Sequence, residues 1–530
     1  MAPYPPPGYP PPPGYPPVRY KPTKLEKAIV GWKQPSRAMS PALIAGALVA
    51  GVIGAVTLGP EMMHGLGVGV LITAVAVAYL AGASAWSGGR VVRTGAGKDR
   101  RLAWLNRTGI VFVLLAVALS SIAAFRDAEW VVVPAILLAI AVGSYGTSGG
   151  RSWVEVLFGG VAVLPAAGAM MPWAVRGAYG TVTSGRGNAW PAIRTALIAG
   201  GLLAVFGALF VGADAAFGSL AEGLVPEISP GTVILYGFAG GVTLLLASAG
   251  AFLGQAPPPL HVLVPERAKP AGRWSWAVPI AALDLLFLVF CAIQAGIFLA
   301  DDKDELLRST GLTYAEYARQ GFFQLVVVTV LVLVVVAVAK RYAPSAGRGD
   351  RITVQVLLGL LSVMTLVVVA VALRRLYLYE ETYGWTRLRL WVHAFELWLG
   401  VVVVMVAVAG VVKGRVAWLP RAVAASGAVA LIVLALVNPD RFIAEHNLDR
   451  YRETGKIDIG YLRNLSADAV PALDRLPEPM RSCALLDIAH DLKDDEPAMS
   501  ANHGRNRARD ILRQHPVDST VSCANQSGRW

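Results

Sequence analysis

The feature that most constrains this chain is a series of apolar runs, each about as long as a bilayer's hydrocarbon is thick. Crossing about 30 Å takes about twenty helical residues. Runs of that length fall near residues 41–58, 66–86, 108–124, 130–147, 153–173, 193–213, 232–254, 277–300, 321–339, 352–373, 390–412 and 418–438. They are continuous rather than alternating, which predicts helices and not barrel strands. The expected fold is therefore all-α, a polytopic transmembrane helix bundle of about 11–13 spans. Segments such as "GALVAGVIGAV" (46–56) and "GFAGGVTLLLASAG" (237–250) place small residues at close spacing, which suits helices packed by close backbone approach.

Composition agrees. The 530 residues are 55% hydrophobic and only 15% charged, against about 25% charged in soluble domains. The formal net charge of +12 is then a matter of loops and headgroups. The basic residues lie between spans without interleaved aromatics, so the lipid bilayer is the expected partner and nucleic acid is not. Residues 1–17 contain "PPPGYP" twice, and ten of these seventeen are Pro. Such a segment cannot bury a core and should stay extended. Residues 1–40 are thus expected to be a disordered cytoplasmic tail, 41–438 the bundle, and 439–530 a small soluble helical segment. The first twenty residues offer a docking site for a Pro-recognising or clustering partner, or serve only as a solubilising tail. The first apolar run begins near Pro41, so no cleavable signal peptide is expected.

Lys and Arg in the loops set the orientation. The tail (Arg19, Lys21, Lys24, Lys27, Lys33, Arg37) and the loop 87–107 (Arg90, Arg93, Lys98, Arg100, Arg101, Arg107) belong in the cytoplasm, as do 255–276, 340–351 and 413–421. The loops 59–65, 125–129, 214–231 and 301–312 are poor in Lys and Arg or acidic, and belong outside. Twelve strictly alternating crossings contradict this pattern, so one run between 130 and 192 must fail to cross. The weakest is 153–173, "WVEVLFGGVAVLPAAGAMMPW", with Glu155, paired glycines and two prolines. One loop conflicts with the scheme: 374–389, "RRLYLYEETYGWTRLR", is basic yet falls outside. Odd parity puts 439–530 outside the cytoplasm. Two of the three cysteines, Cys483 and Cys523, lie there, either as an extracytoplasmic disulfide or as two unrelated thiols.

Polar groups inside spans are the candidate functional residues. In "RLRLWVHAFELWLG" (387–400), Arg389, His393 and Glu396 follow one another at i, i+4 and i+7 and share a helix face. They are expected to form a charge-neutralised chain turned into the bundle, backed by Trp391, Phe395 and Trp398. Asp284 lies roughly 10 Å from the cytoplasmic face at 1.5 Å per residue, with Cys291 and Gln294 farther along the same span. An Asp low in the membrane and a His/Glu pair high in it either bracket a proton or ion path or act as interhelical hydrogen bonds. No H-E-x-x-H, P-loop, G-x-S-x-G or dinucleotide motif is present, so neither metal nor cofactor is expected. Thr313 and Glu316 have capping-box spacing, Ser466 is a candidate N-cap, and "NHGRNRARDILRQH" (502–515) reads as a basic helix.

"FVGADAAFGSL" (210–220), "GLTYAEYARQGFFQL" (311–325), "LYLYEETYGWTRLRL" (376–390) and "NPDRFIAEHNLDRYRETGKIDIGYLRNLSADAVPALDRLPEPMRSCAL" (438–485) resemble an actinobacterial multi-pass membrane family classed as a domain of unknown function, the 4153/4173 group. The resemblance covers roughly residues 90–490 and implies an integral protein of a bacterial cell membrane. It carries over no catalytic residue. Three functions stay open. The chain is a permease-like bundle with a polar path through Asp284, Gln294, Arg389, His393 and Glu396. Or it is a scaffold or sensor using the Pro-rich tail and the C-terminal segment. Or it is an enzyme acting on a lipid carrier, with Arg374, Arg375, Glu380, Glu381 and Arg387 binding the headgroup.

Overall fold

In the computed structural model the chain is described over residues 22–59, 65–89, 100–184, 230–265, 272–299, 322–343, 347–412, 416–493, 497–521 and 523. Nineteen α-helices order these residues. They begin with α1 (Lys24–Gly31), α2 (Pro41–Leu58), α3 (Val68–Gly89), α4 (Arg100–Phe125) and α5 (Glu129–Ser148). Three short helices follow, α6 (Trp153–Gly160), α7 (Val163–Ala169) and α8 (Met171–Ser184). The bundle resumes with α9 (Pro230–Gln255), α10 (Arg273–Leu299), α11 (Phe322–Tyr342), α12 (Arg348–Tyr383), α13 (Arg387–Val411) and α14 (Leu419–Val437). The C-terminal lobe holds α15 (Pro439–Thr454), α16 (Ile459–Leu462), α17 (Val470–Leu473), α18 (Met480–Asp491) and α19 (His503–Gln514). Ten of these helices, α2–α5 and α9–α14, are long and apolar enough to cross a membrane. The expectation of an all-α polytopic bundle holds. The run 193–213, the motifs at 210–220 and 311–321, and the Thr313/Glu316 pair lie outside the described residues.

Hydrogen bonds order the ends of these helices on two faces. On one face, Trp32 Nε1 donates to Ala256 O (2.8 Å), Lys24 Nζ to Val264 O (3.2 Å) and Trp173 Nε1 to Arg37 O (3.0 Å). Arg421 reaches Gly150 O on the same side. On the other, Val68 N donates to Ala501 O (3.0 Å) and Arg126 Nε to Ala435 O (2.6 Å). The N-terminal helix and the C-terminal lobe therefore sit at opposite ends of the bundle. The run 153–173 does not cross: it breaks into α6, α7 and the start of α8, and Trp173 stays beside Arg37. Ser152 and Glu155 form a capping box that starts α6, and Val161, which caps its end, leaves the helical region. Pro230 begins α9 at the opposite end, since α9 runs antiparallel to α2, with Gly51 against Leu244 and Gly59 against Tyr236. The residues between α8 and α9 lie outside those described.

Three features differ from the sequence reading. Within the 1–40 tail, Lys24–Gly31 is helical, because Thr23 and Glu26 make a reciprocal capping box. The basic segment 374–389 is not a loop up to Tyr383 but the end of α12, whose 36 residues span roughly 54 Å at 1.5 Å per residue. That exceeds the hydrocarbon thickness, so one end projects beyond it. Ser466 occupies an N-cap position before Ala467–Ala469, yet its side chain makes no cap hydrogen bond.

The C-terminal lobe is not a separate body. One apolar core runs from Leu119, Ile122 and Val131 of α4 and α5 through Leu431 and Leu434 of α14 to Ile443, Leu462, Leu473 and Leu485 of the lobe. A second core joins α2, α7 and α9 around Trp173 and Phe252. A third joins α10, α11 and α12 around Phe287, Val332 and Leu361. Helices α2 and α9 meet through small residues, and a methyl group on Gly54 would overlap the Thr243 side chain. Gly54→Ala should therefore lower stability by about 1–3 kcal/mol. Gly241→Ala, with open space at its Cβ, should leave the melting temperature in detergent unchanged.

Candidate functional site

Helices α12 and α13 form a hairpin on the lobe face, turned at Gly384 with φ 80°. Thr386 caps α13 by accepting from Arg389 N (3.4 Å). His393, two turns into α13, does not pair with Glu396. Its Nδ1 lies 3.1 Å from Glu380 Oε1, and its ring stacks on Trp385 at 5.5 Å. Trp385 also meets Phe442 and His446 of α15. Arg389 turns back to donate to Gly384 O and covers the Tyr379 ring at 4.3 Å. Glu396 faces the other way, accepting from Thr329 Oγ1 of α11 (3.4 Å). The expected Arg389–His393–Glu396 chain is thus not formed. The carbonyl of Gly384 and the carboxylate of Glu380, both on the neighbouring segment, are nearer partners for the first two groups.

Asp284 is 4% exposed, and both its oxygens are buried without a hydrogen-bond partner among the described residues. It lies on the face of α10 that carries Ile280 and Phe287 into the core shared with α11 and α12. Arg273 meets Asp350 and Cys291 meets Met364 O, which brackets the level of Asp284 along α12. Gly400 packs on Val369, which places Glu396 near the other end. The two carboxylates are separated by roughly 20 Å along the bundle at 1.5 Å per residue. Gln294 is half-buried one turn beyond Cys291. The structure therefore puts Asp284 and Glu396 in one half-bundle, α10–α13, without joining them.

Three of the five residues considered for headgroup binding make contacts within the protein. Glu380 is buried against His393. Arg387 donates to both oxygens of Asp440 (3.0 and 2.5 Å). Arg374 lies over the Phe298 ring at 5.0 Å, Arg375 is half-buried and Glu381 is exposed. Cys483 and Cys523 are joined in a disulfide with Cα atoms 5.6 Å apart. Among the described residues, no group of three or more His, Cys, Asp or Glu could hold a metal ion.

Sequence reading missed the seam between lobe and bundle. Asp440, fully buried, accepts from Arg387, Trp130 Nε1 (2.9 Å) and Ser466 N (2.8 Å). Asp468 accepts from Asp127 N (2.7 Å) and Ala128 N (3.2 Å) at the start of α5. Asp127 in return accepts from Ala467 N (3.1 Å) and Arg505 (2.8 Å). Asn502 Nδ2 donates to Ala123 O and Arg126 O at the end of α4, and Asn447 pairs with both backbone groups of Trp385. The only signal was the acidic "RDAE" at 126–129 and "NPDR" at 438–441 next to span ends.

This arrangement defines the class: an integral membrane bundle of many spans, with a lobe sewn to one face. The sequence pattern of the domain of unknown function DUF4153 matches residues 109–476, and the chain belongs to that family. No curated protein and no solved structure matches it.

Two predictions follow from the seam. Asp440→Ala leaves Arg387 and Trp130 without their buried acceptor and should cost about 3–5 kcal/mol, read as a lower melting temperature. Burial pushes the Asp468 carboxyl up from 3.8 to about 6. Its protonated form is thus favoured by folding. The stability it contributes is complete below about pH 4 and lost as pH rises to about 6. Asp468→Asn should flatten the melting temperature between pH 4 and 6 relative to wild type.

Proposed function

We propose that the protein is a permease-type membrane protein in which the half-bundle α10–α13 passes a proton or small cation between Asp284 and Glu396. The observation that carries this is Asp284, a carboxyl group inside a span with neither oxygen hydrogen-bonded among the described residues. Such a group is costly in an apolar bundle and marks ion pathways. Glu396 supports the reading, because its Oε2 is likewise buried without a partner among the described residues. The lipid-carrier enzyme reading is weaker, since Glu380 and Arg387 are engaged by His393 and Asp440. A sensor reading draws support from the core that the lobe shares with α4, α5 and α14.

In this reading the protein sits in a bacterial cell membrane with the N-terminal helix in the cytoplasm and the lobe outside. The loop charges favour that orientation, and a disulfide in the lobe suits an oxidising compartment. The test is proton entry into proteoliposomes holding a pH-sensitive dye, with membrane potential clamped by potassium and valinomycin. Wild type should acidify the lumen faster than protein-free vesicles, and Asp284→Asn and Glu396→Gln should each slow it at least tenfold. Equal rates in wild type, both variants and empty vesicles would refute the proposal.

A further inference from the structure

A cavity of ≈ 590 Å³ opens on the lobe face where α4, α14, α15 and α19 meet. Its size falls in the range of small-molecule sites, and the path between Asp284 and Glu396 does not involve it. One wall is apolar: Phe125, Ile432 and Leu436, at the last turns of α4 and α14. Phe125 is 53% and Leu436 71% exposed on these spans, so this wall continues directly into the lipid-facing surface of the bundle. The other wall is basic, with Arg441 on α15 and Arg507 on α19, and His503 lies beside them.

The balance of charge selects the ligand. Three arginines, Arg126, Arg441 and Arg507, face two carboxylates, Glu445 and Asp468, around the cavity. Glu445 is held by Arg441 Nε (2.9 Å), and Asp468 turns its Oδ2 to the amides of Asp127 and Ala128 while its Oδ1 is buried. Arg126 spends its donors on the carbonyls of Phe125, Ala435 and Leu436, yet keeps its charge beside the cavity. Arg507 is exposed on the first turns of α19, a twelve-residue helix whose N-terminus, capped by Asn502, adds partial positive charge. A net positive mouth over an apolar wall at the membrane boundary fits an amphiphile with an anionic head.

We propose that this cavity binds an anionic phospholipid of the adjoining leaflet, its phosphate between Arg441 and Arg507 and its acyl chains along Ile432 and Leu436. The lipid source is favoured over a free phosphate because the apolar wall is continuous with the surface that acyl chains already cover.

The test uses the full chain in detergent, with melting temperature read after adding phosphatidylglycerol, phosphatidylcholine or glycerol 3-phosphate. Phosphatidylglycerol should raise the melting temperature by roughly 5 °C at saturation, while phosphatidylcholine and glycerol 3-phosphate should each raise it by less than half as much. Arg441→Gln combined with Arg507→Gln should abolish the difference between the two lipids. Arg507→Glu, at an exposed position, should reduce it at least by half. A photoactivatable phosphatidylglycerol should crosslink to peptides containing residues 432–445 or 503–507. An equal shift from both lipids, a shift unchanged in Arg507→Glu, crosslinks confined to other helices, or an equal shift from glycerol 3-phosphate would each overturn the proposal.

Discussion

Two buried acids at the ends of spans, Asp440 and Asp468, hold this molecule in one piece. Helix termini carry amides and carbonyls with no partner in their own helix, and beside a lobe those groups are shut away from water. Asp468 takes the amides of Asp127 and Ala128 that lead into α5, Asn502 takes carbonyls at and just past the end of α4, and Arg126 takes the last ones of α14. Asp440 then ties Arg387 of α13 to Trp130 of α5. Each of these contacts joins segments far apart in sequence. Remove them, and the apolar core that runs from α4 and α14 into the lobe would have unsatisfied polar groups along its rim.

In the proposed orientation, the same seam accounts for a basic stretch that runs against the loop-charge rule. Arg387 and Arg389 sit on the lobe face although arginines of that density favour the cytoplasm. They are not free cations there. Arg387 is matched by Asp440, and Arg389 lies on Tyr379 and Gly384 O. Arg450 of α15 reaches across to the backbone of Glu381 and Thr382. The rule counts charges that face lipid headgroups or translocate unpaired. Charges consumed by a folded lobe fall outside it.

What could be read from the sequence follows from which interactions are local. Span length and apolar periodicity are local, so ten of the twelve runs read from the sequence appear as long helices among the described residues, and the break-up of 153–173 matches its Glu155 and two prolines. The intramembrane positions of Asp284 and Glu396 were legible for the same reason. Their partners were not. Helical spacing put Arg389, His393 and Glu396 on one face, but spacing does not know that Glu380 comes back beside His393 across the Gly384 turn, or that Thr329 of another helix lies nearer to Glu396. The seam was hidden most thoroughly, because Asp127 and Asp468 are 341 residues apart and each looks like an ordinary loop acid.

The proposed orientation puts the N-terminal helix and the C-terminal lobe on opposite sides of the membrane. The direct measurement is labelling by a membrane-impermeant maleimide in intact and permeabilised cells, using single cysteines at two exposed positions, Lys27→Cys on α1 and Arg513→Cys on α19, in a Cys291→Ala background. Arg513→Cys should label in intact cells, and Lys27→Cys only after permeabilisation. Labelling of both from the same side would contradict it.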